Sequence, residues 1–309
     1  MFAAQGVLSG FQDIVVAGGI ESMSRPAPLH VDGFTANNDH LFDQYPMVAQ
    51  GISADLIASV EGFSREECDR IAFDSQNRAA AALAEGRFDR SLVTIKSDDG
   101  TVALDHEEFP RPGTTMDSLG KLTPSFEAMG SKPFKNGLTI DQTALLTYPQ
   151  VKELRHVHHA GNSSGVVDGA SALLVVSSDY AKAHGLKPRA KITMTAVAGT
   201  DPVIMLTAPG PATLRCLKKA GMTINDIDLI EVNEAFAAVV LKFLRDTGAD
   251  WDKCNVNGGA IALGHPIGAT GGMLIGTAVD ELERTGKQTA LITMCTGGGM
   301  GTATIIERV

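Results

Sequence analysis

The stretch Asn257-Gly258-Gly259-Ala260-Ile261-Ala262-Leu263-Gly264-His265-Pro266-Ile267-Gly268, followed one helix later by Cys295-Thr296-Gly297-Gly298-Gly299-Met300-Gly301, decides how this chain is read. Each part presents one reactive side chain from a glycine-rich turn. Glycines flank His265 and follow Cys295 so closely that the backbone must bend sharply, which lets a ligand approach main-chain N–H groups. A histidine held on a turn can exchange a proton near neutral pH. A thiol at the mouth of Gly297-Gly298-Gly299 can have its pKa lowered by the successive N–H groups there. The plainer alternatives are a turn histidine bonded to a nearby carbonyl and a thiol that is simply a buried hydrophobe. The glycine run lacks G-x-G-x-x-G spacing and precedes a terminal strand, so it is no dinucleotide fingerprint.

Outward from these turns, strand and helix alternate. Strands are expected at Ala190 to Ala198, Leu229 to Val232, Thr289 to Met294 and Thr302 to Glu307, with helices at Pro211 to Ala220, Glu234 to Thr247 and Gly268 to Thr285. That alternation predicts an α/β fold with a mainly parallel or mixed sheet covered by helices. Asn233-Glu234 closes a strand, where α/β proteins place ligands; Asn233 can cap the next helix, and its side chain can at the same time turn to hold a water. Upstream, Asp13 to Gly19 reads as a short buried strand preceded by the tail of a helix, and Ala170 to Ser177 as a second buried strand. Both the Ile14-to-Gly19 and Leu291-to-Gly298 strands run into glycines, a faint two-fold repeat. Between them the pattern loosens into what reads as an inserted subdomain. Ser64 and Glu67 there form a capping box for a helix running to Glu85. The loop Gly130 to Thr139 offers Lys132 and Lys135 to an anionic ligand. Ala160 to Gly165 is a small-residue turn able to pass a narrow ligand, and His156, His158 and His159 lack a carboxylate or cysteine at metal-ligand spacing.

A net charge of −10 on 309 residues, with scattered Lys and Arg, argues against nucleic-acid binding. The 44% hydrophobic and 20% charged composition is that of a folded α/β protein, with no apolar run that spans a membrane and no signal peptide at Met1 to Gly6, so a cytoplasmic location is expected. Cys68, Cys216, Cys254 and Cys295 are widely spaced and fit free thiols; acidic neighbours would raise the Cys68 pKa, and Cys216 falls in a helix.

Taken as an ordered set, Val16-Ala17-Gly18-Gly19-Ile20-Glu21-Ser22-Met23-Ser24, Gly161-Asn162-Ser163-Ser164-Gly165, Asn233-Glu234-Ala235-Phe236, Gly264-His265-Pro266-Ile267-Gly268 and Cys295-Thr296-Gly297-Gly298-Gly299-Met300-Gly301 resemble the thiolases, the acetyl-CoA acyltransferases. Arg111-Pro112-Gly113-Thr114-Thr115 and Leu122-Thr123-Pro124-Ser125-Phe126 resemble that family's loop-domain signature. The resemblance implies a five-layer α-β-α-β-α core of two duplicated halves with an inserted loop domain. Residues 1–24 and 166–184 would be what is present of the N-terminal half, 25–165 the loop domain, and 185–309 the C-terminal half. It implies thiolytic cleavage of 3-oxoacyl-CoA, or the reverse Claisen condensation, with coenzyme A as substrate, no permanently bound cofactor or metal, and a homodimer or homotetramer. Lipid degradation by β-oxidation would be the setting. By motif, His265 would activate the nucleophilic thiol and, with a water held by Asn233, bind the thioester oxygen. Cys295 would be the acid/base, Gly297 would lend its N–H to a second oxyanion hole, and Ser164 would line the pantetheine tunnel, with Lys132 and Lys135 near the phosphates. The family acylates a cysteine upstream of the Asp13 strand, and no cysteine precedes Cys68. The chain as written is therefore expected to be catalytically incomplete, with part of its N-terminal half missing; a non-catalytic acyl-CoA-binding or scaffold subunit is the competing expectation. Tyr45 lacks the histidine that follows it in many thiolases, and Met129 to His159 is longer than usual, which implies a bulky or unusual acyl chain.

Overall fold

The structure, a computed structural model, describes residues 1–25 and 38–309; residues 26–37, part of the expected loop domain, lie outside the described residues. Two sheets form its frame. The first is a ribbon of β1 (Ile14–Ser22) and β2 (Asp168–Val176), antiparallel from Ile14 opposite Val176 to Ser22 opposite Asp168, with helix α1 (Phe2–Leu8) beside it. The second contains β3 (Ala190–Gly199), β4 (Leu229–Val232), β5 (Thr289–Thr296) and β6 (Met300–Arg308) in the order β3-β6-β5-β4. Only β4 and β5 in this mixed sheet pair in parallel.

Helix α6 (Thr270–Thr285) lies between the two sheets and touches both. Its Leu274, Ala278, Val279 and Leu282 recur at helical spacing and pack on Leu229, Ala290, Ile292 and Ile306 of the four-stranded sheet. Burying a leucine such as Leu282 contributes about 2 kcal/mol. The opposite face of that sheet is covered by α4 (Pro209–Ala220), against which α5 (Ala237–Thr247) packs. Two further helices, α2 (Gln50–Glu61) and α3 (Arg65–Ala84), pack on α5, so residues from 47–157 share one continuous core with residues from 196–305. The capping box at the head of α3 forms as expected: Ser64 N donates to Glu67 Oε2 at 2.7 Å and Glu67 N to Ser64 Oγ at 3.1 Å. Among the described residues no helix is long and apolar enough to cross a membrane.

Two expectations need correction. Among the described residues, β1 and β2 are covered on one face only. Val16, Ile20 and Leu174 stand exposed at 71%, 80% and 56%, while the alternate positions are partly buried. A β-branched run by itself suggests burial on both faces, yet pleating buries only the set that meets α6. The helix after β4 begins at Ala237 and not at Glu234, so Asn233 is not its cap. The first N–H groups of α5 are instead taken from a distance: Ala237 N donates to Asn162 O at 3.0 Å and Ala238 N to His158 Nε2 at 3.3 Å.

Candidate active site

Parallel pairing of β4 with β5 brings two reactive positions to the same end of the sheet. Directly after β4, Asn233 N donates to Thr293 O at 3.0 Å, and Cys295 follows two residues further along β5. The chain then reverses through Gly297-Gly298-Gly299, with φ of +83° at Gly298 and +84° at Gly299, a conformation that favours glycine. Thr200 N fixes this turn by donating to Gly299 O at 2.7 Å.

His265 approaches from the loop before α6. Gly264 turns with φ of +89°, and His265 N donates to Gly165 O at 2.9 Å. Its ring is held at both nitrogens: Nδ1 lies 2.6 Å from Thr270 Oγ1, and Asn233 Nδ2 lies 3.3 Å from Nε2. The Thr270 hydroxyl has one hydrogen, which it gives to Pro266 O at 2.9 Å. Nδ1 is then the protonated nitrogen and Nε2 the acceptor. The other atom of the Asn233 amide, Oδ1, is buried and has no hydrogen-bond partner among the described residues. A buried acceptor is costly to leave unmatched, so this atom is suited to a ligand or a water.

Burial sets the resting charges and changes the expected ones. It pushes His265 down to about 4, against the opposing pull of the Glu21 carboxylate, so the imidazole is neutral at pH 7 and does not titrate near neutrality. Burial likewise pushes the Cys295 thiol up to about 12; the glycine turn does not lower it. Cys68 is pushed up to about 12 by burial and then by Asp69, and Cys216 to about 11 by burial.

His265, Cys295, Gly297 and Ser164 line one cavity of about 530 Å³, with Phe109, Phe126, Leu206, Phe236 and Met294 supplying apolar wall. Asn233 stands behind His265. A second cavity of about 310 Å³ adjoins it and shares Phe109, Arg111 and Ala160. Ser164 is anchored by its N–H to Ala235 O at 3.0 Å, so the small-residue turn forms part of the wall. Lys132 and Lys135 are exposed and line neither cavity; Lys135 Nζ lies 3.0 Å from Asp39 Oδ1 and 4.2 Å above the Phe42 ring. Among the described residues, the cation that does reach the walls of both cavities is Arg111. Its sequence signal was present in Arg111-Pro112-Gly113-Thr114-Thr115, but nothing in spacing separates it from other scattered arginines. Thr270 was missed for a similar reason: its part depends on one turn of helix bringing it back to His265.

The three clustered histidines do meet carboxylates, brought by α2, α3 and the helix Ile140–Leu145. His156 Nδ1 and Nε2 face Asp55 and Asp141 at 2.8 and 3.1 Å, His158 Nδ1 faces Asp55 at 2.7 Å, and His159 Nε2 faces Asp69 at 2.7 Å. These pairs tie the 156–162 segment to the core. Among the described residues no group of three or more His, Cys, Asp or Glu is placed to hold a metal ion.

Known proteins show the same design. The family models described as "Thiolase, N-terminal domain" and "Thiolase, C-terminal domain" match residues 1–133 and 186–308. An "Acetyl-CoA acetyltransferase" of Allochromatium vinosum is 41% identical over 323 residues, covering 99% of this chain and 75% of that protein. A "3-ketoacyl-CoA thiolase" of a Marinomonas species is 39% identical over 315 residues, covering 99% and 73%. The crystal structure of human mitochondrial 3-ketoacyl-CoA thiolase in complex with CoA superposes with a TM-score of 0.80 at 36% identity, covering 99% of this chain and 73% of that one. With both family models matched and relatives of this identity aligned along nearly its whole length, the chain has the thiolase fold and belongs to the thiolase family of acyltransferase enzymes.

Proposed function

We propose that the joined cavities bind coenzyme A thioesters and that the site is built for thiolytic cleavage of a 3-oxoacyl-CoA, with Claisen condensation as the reverse. The observation that carries this reading is that His265 and Cys295 line one cavity, with Asn233 bonded to His265 Nε2 and its buried Oδ1 unmatched. Both resting charge states suit cleavage. A neutral His265 whose Nε2 gives up the long hydrogen bond from Asn233 takes the proton of an attacking thiol, and the resulting imidazolium donates to the thioester oxygen beside a water held on Asn233 Oδ1. A protonated Cys295 thiol is ready to protonate the α-carbon of the departing acetyl-CoA enolate. The Gly297 N–H is proposed as the donor of a second oxyanion hole and Ser164 as part of the pantetheine wall. Arg111 joins Lys132 and Lys135 as a proposed phosphate contact. Residues 25–165, the proposed loop domain, supply Phe109, Arg111, Phe126 and Ser164 to the walls. The proposed setting is lipid degradation in the cytoplasm by a homodimer or homotetramer, whose mass light scattering would measure.

A second reading rests on the thiols. Among the described residues Cys295 is the cysteine that lines the cavity. A group that moves the α-proton cannot carry the acyl group in the same step. We therefore propose that this chain, as it stands, binds acyl-CoA without completing thiolysis. Calorimetric titration with coenzyme A and acetyl-CoA, run beside an acetoacetyl-CoA thiolysis assay, tests both readings. Binding without turnover is expected. Absence of binding removes the thioester site, and turnover that survives Cys295→Ala removes the role given to Cys295.

A further inference from the structure

The turn from His265 to Ala269 is seated on the β1–β2 ribbon. A Cβ at Gly19 would lie 1.9 Å from Gly268 O, and one at Gly169 would lie 2.6 Å from Pro266 Cγ; Ser171 Oγ donates to Ala269 O at 2.6 Å. Glu21, opposite Gly169 in the ribbon, accepts the Gly268 N–H on Oε2 at 3.1 Å. A carboxylate there also faces the N-terminal end of the 16-residue α6, where a negative charge is favoured.

We propose that Glu21 is a positioning residue for His265: by fixing the Gly268 N–H it holds the turn that places the Thr270 hydroxyl against the imidazole. The ring's other hydrogen bond, from Asn233, is 3.3 Å long against 2.6 Å for Thr270, so Thr270 decides which nitrogen is protonated. If the turn moves, Thr270 and His265 no longer meet with Nδ1 as donor and Nε2 as acceptor. Glu21 does not line the cavity; its hydrogen bond holds the turn, and its charge adds a pull on the imidazole. The inference rests on the thiolase reading only for its consequence in catalysis; the geometry is testable without substrate.

Two substitutions separate reach from charge. Glu21→Gln keeps the length and an acceptor oxygen while losing the charge, whereas Glu21→Asp keeps the charge and falls one methylene short. The readouts are the histidine ring ¹⁵N shifts of His265 at neutral pH, identified by comparison with His265→Gln, and hydrogen exchange of the Gly268 amide. Glu21→Asp and Glu21→Ala should exchange Gly268 about tenfold faster, the equivalent of one lost hydrogen bond. They should also replace the single Nδ1–H signature by a mixture of tautomers. Glu21→Gln should restore both readouts to near the parent values. Parent-like signals in Glu21→Asp overturn the proposal, and so does Glu21→Gln behaving like Glu21→Ala, since charge and not reach would then govern. If Glu21→Ala fails to fold, the Asp and Gln pair still decides. Acetyl-CoA titration of the parent chain judges the thioester site separately.

Discussion

His156 should make the protein lose stability in mildly alkaline solution. Both ring nitrogens face carboxylates, Asp55 Oδ2 at 2.8 Å and Asp141 Oδ2 at 3.1 Å, so both must donate and the ring is an imidazolium. Burial alone would push its pKa down, but the bonds to Asp141 and then Asp55 outweigh it and raise the value to about 9. In the unfolded chain the same ring titrates near 6.5, its ordinary value. A folded-state pKa above the unfolded one gives stability that is complete below about 6.5 and is lost as pH rises through about 9. The gap of some 2.5 pKa units, at about 1.4 kcal/mol each, amounts to roughly 3 kcal/mol. Other groups also titrate in this window, so the useful quantity is the stability difference between the parent and His156→Gln. Equilibrium urea unfolding of both proteins at about pH 6, 7.5 and 10 should show that difference shrinking by about 3 kcal/mol, with most of the change between the last two. Asp141→Asn, which leaves Asp55 as the one carboxylate on the ring, should move the loss to lower pH. A parent-minus-variant difference that stays flat within about 0.5 kcal/mol across the series would show that His156 is not held charged, and the argument from its two partners would fail.

Arg111→Gln should weaken coenzyme A binding by roughly tenfold or more, the loss of one charge-assisted contact, in a calorimetric titration; charge reversal of Lys132 and Lys135 tests the other proposed phosphate contact, and unchanged affinity removes that loop from the site. Gly19→Ala places a carbon 1.9 Å from Gly268 O, where neither backbone can yield cheaply, so urea unfolding should show a loss of about 1–3 kcal/mol; parent-like stability would mean that the ribbon and the histidine turn are not in contact. Cys295, with its thiol near 12, should react with iodoacetamide at about pH 8 some three orders of magnitude more slowly than a free cysteine, read by peptide mass mapping against a urea-unfolded control; rapid labelling of the folded chain would mean an activated thiolate.

What the sequence disclosed about this site, and what it withheld, divides by the range of the interactions. His265 and Cys295 stand on turns that their own glycines make, and Asn233 ends a strand whose Leu229–Val232 bounds match the expected ones. The capping box of α3 closes within three residues, so Ser64 and Glu67 suffice to find it. The start of α5 was misplaced because its first donors are satisfied by Asn162 and His158, some 75 and 80 residues away. No local pattern records such a cap. The charge states were misjudged for the same reason. Glycine N–H groups near Cys295 argue for a lowered pKa, yet desolvation by walls drawn from distant segments decides the outcome. Arg111 and Glu21 complete the argument from opposite sides. Both lay inside quoted motifs, but one reaches a cavity and the other a helix head that exist only after two sheets close on α6. A residue's chemistry is therefore legible where its partners are sequence neighbours. Where the partner is a cavity wall or a second sheet, packing assigns the role, and the tests of Glu21 and His156 address that kind of assignment.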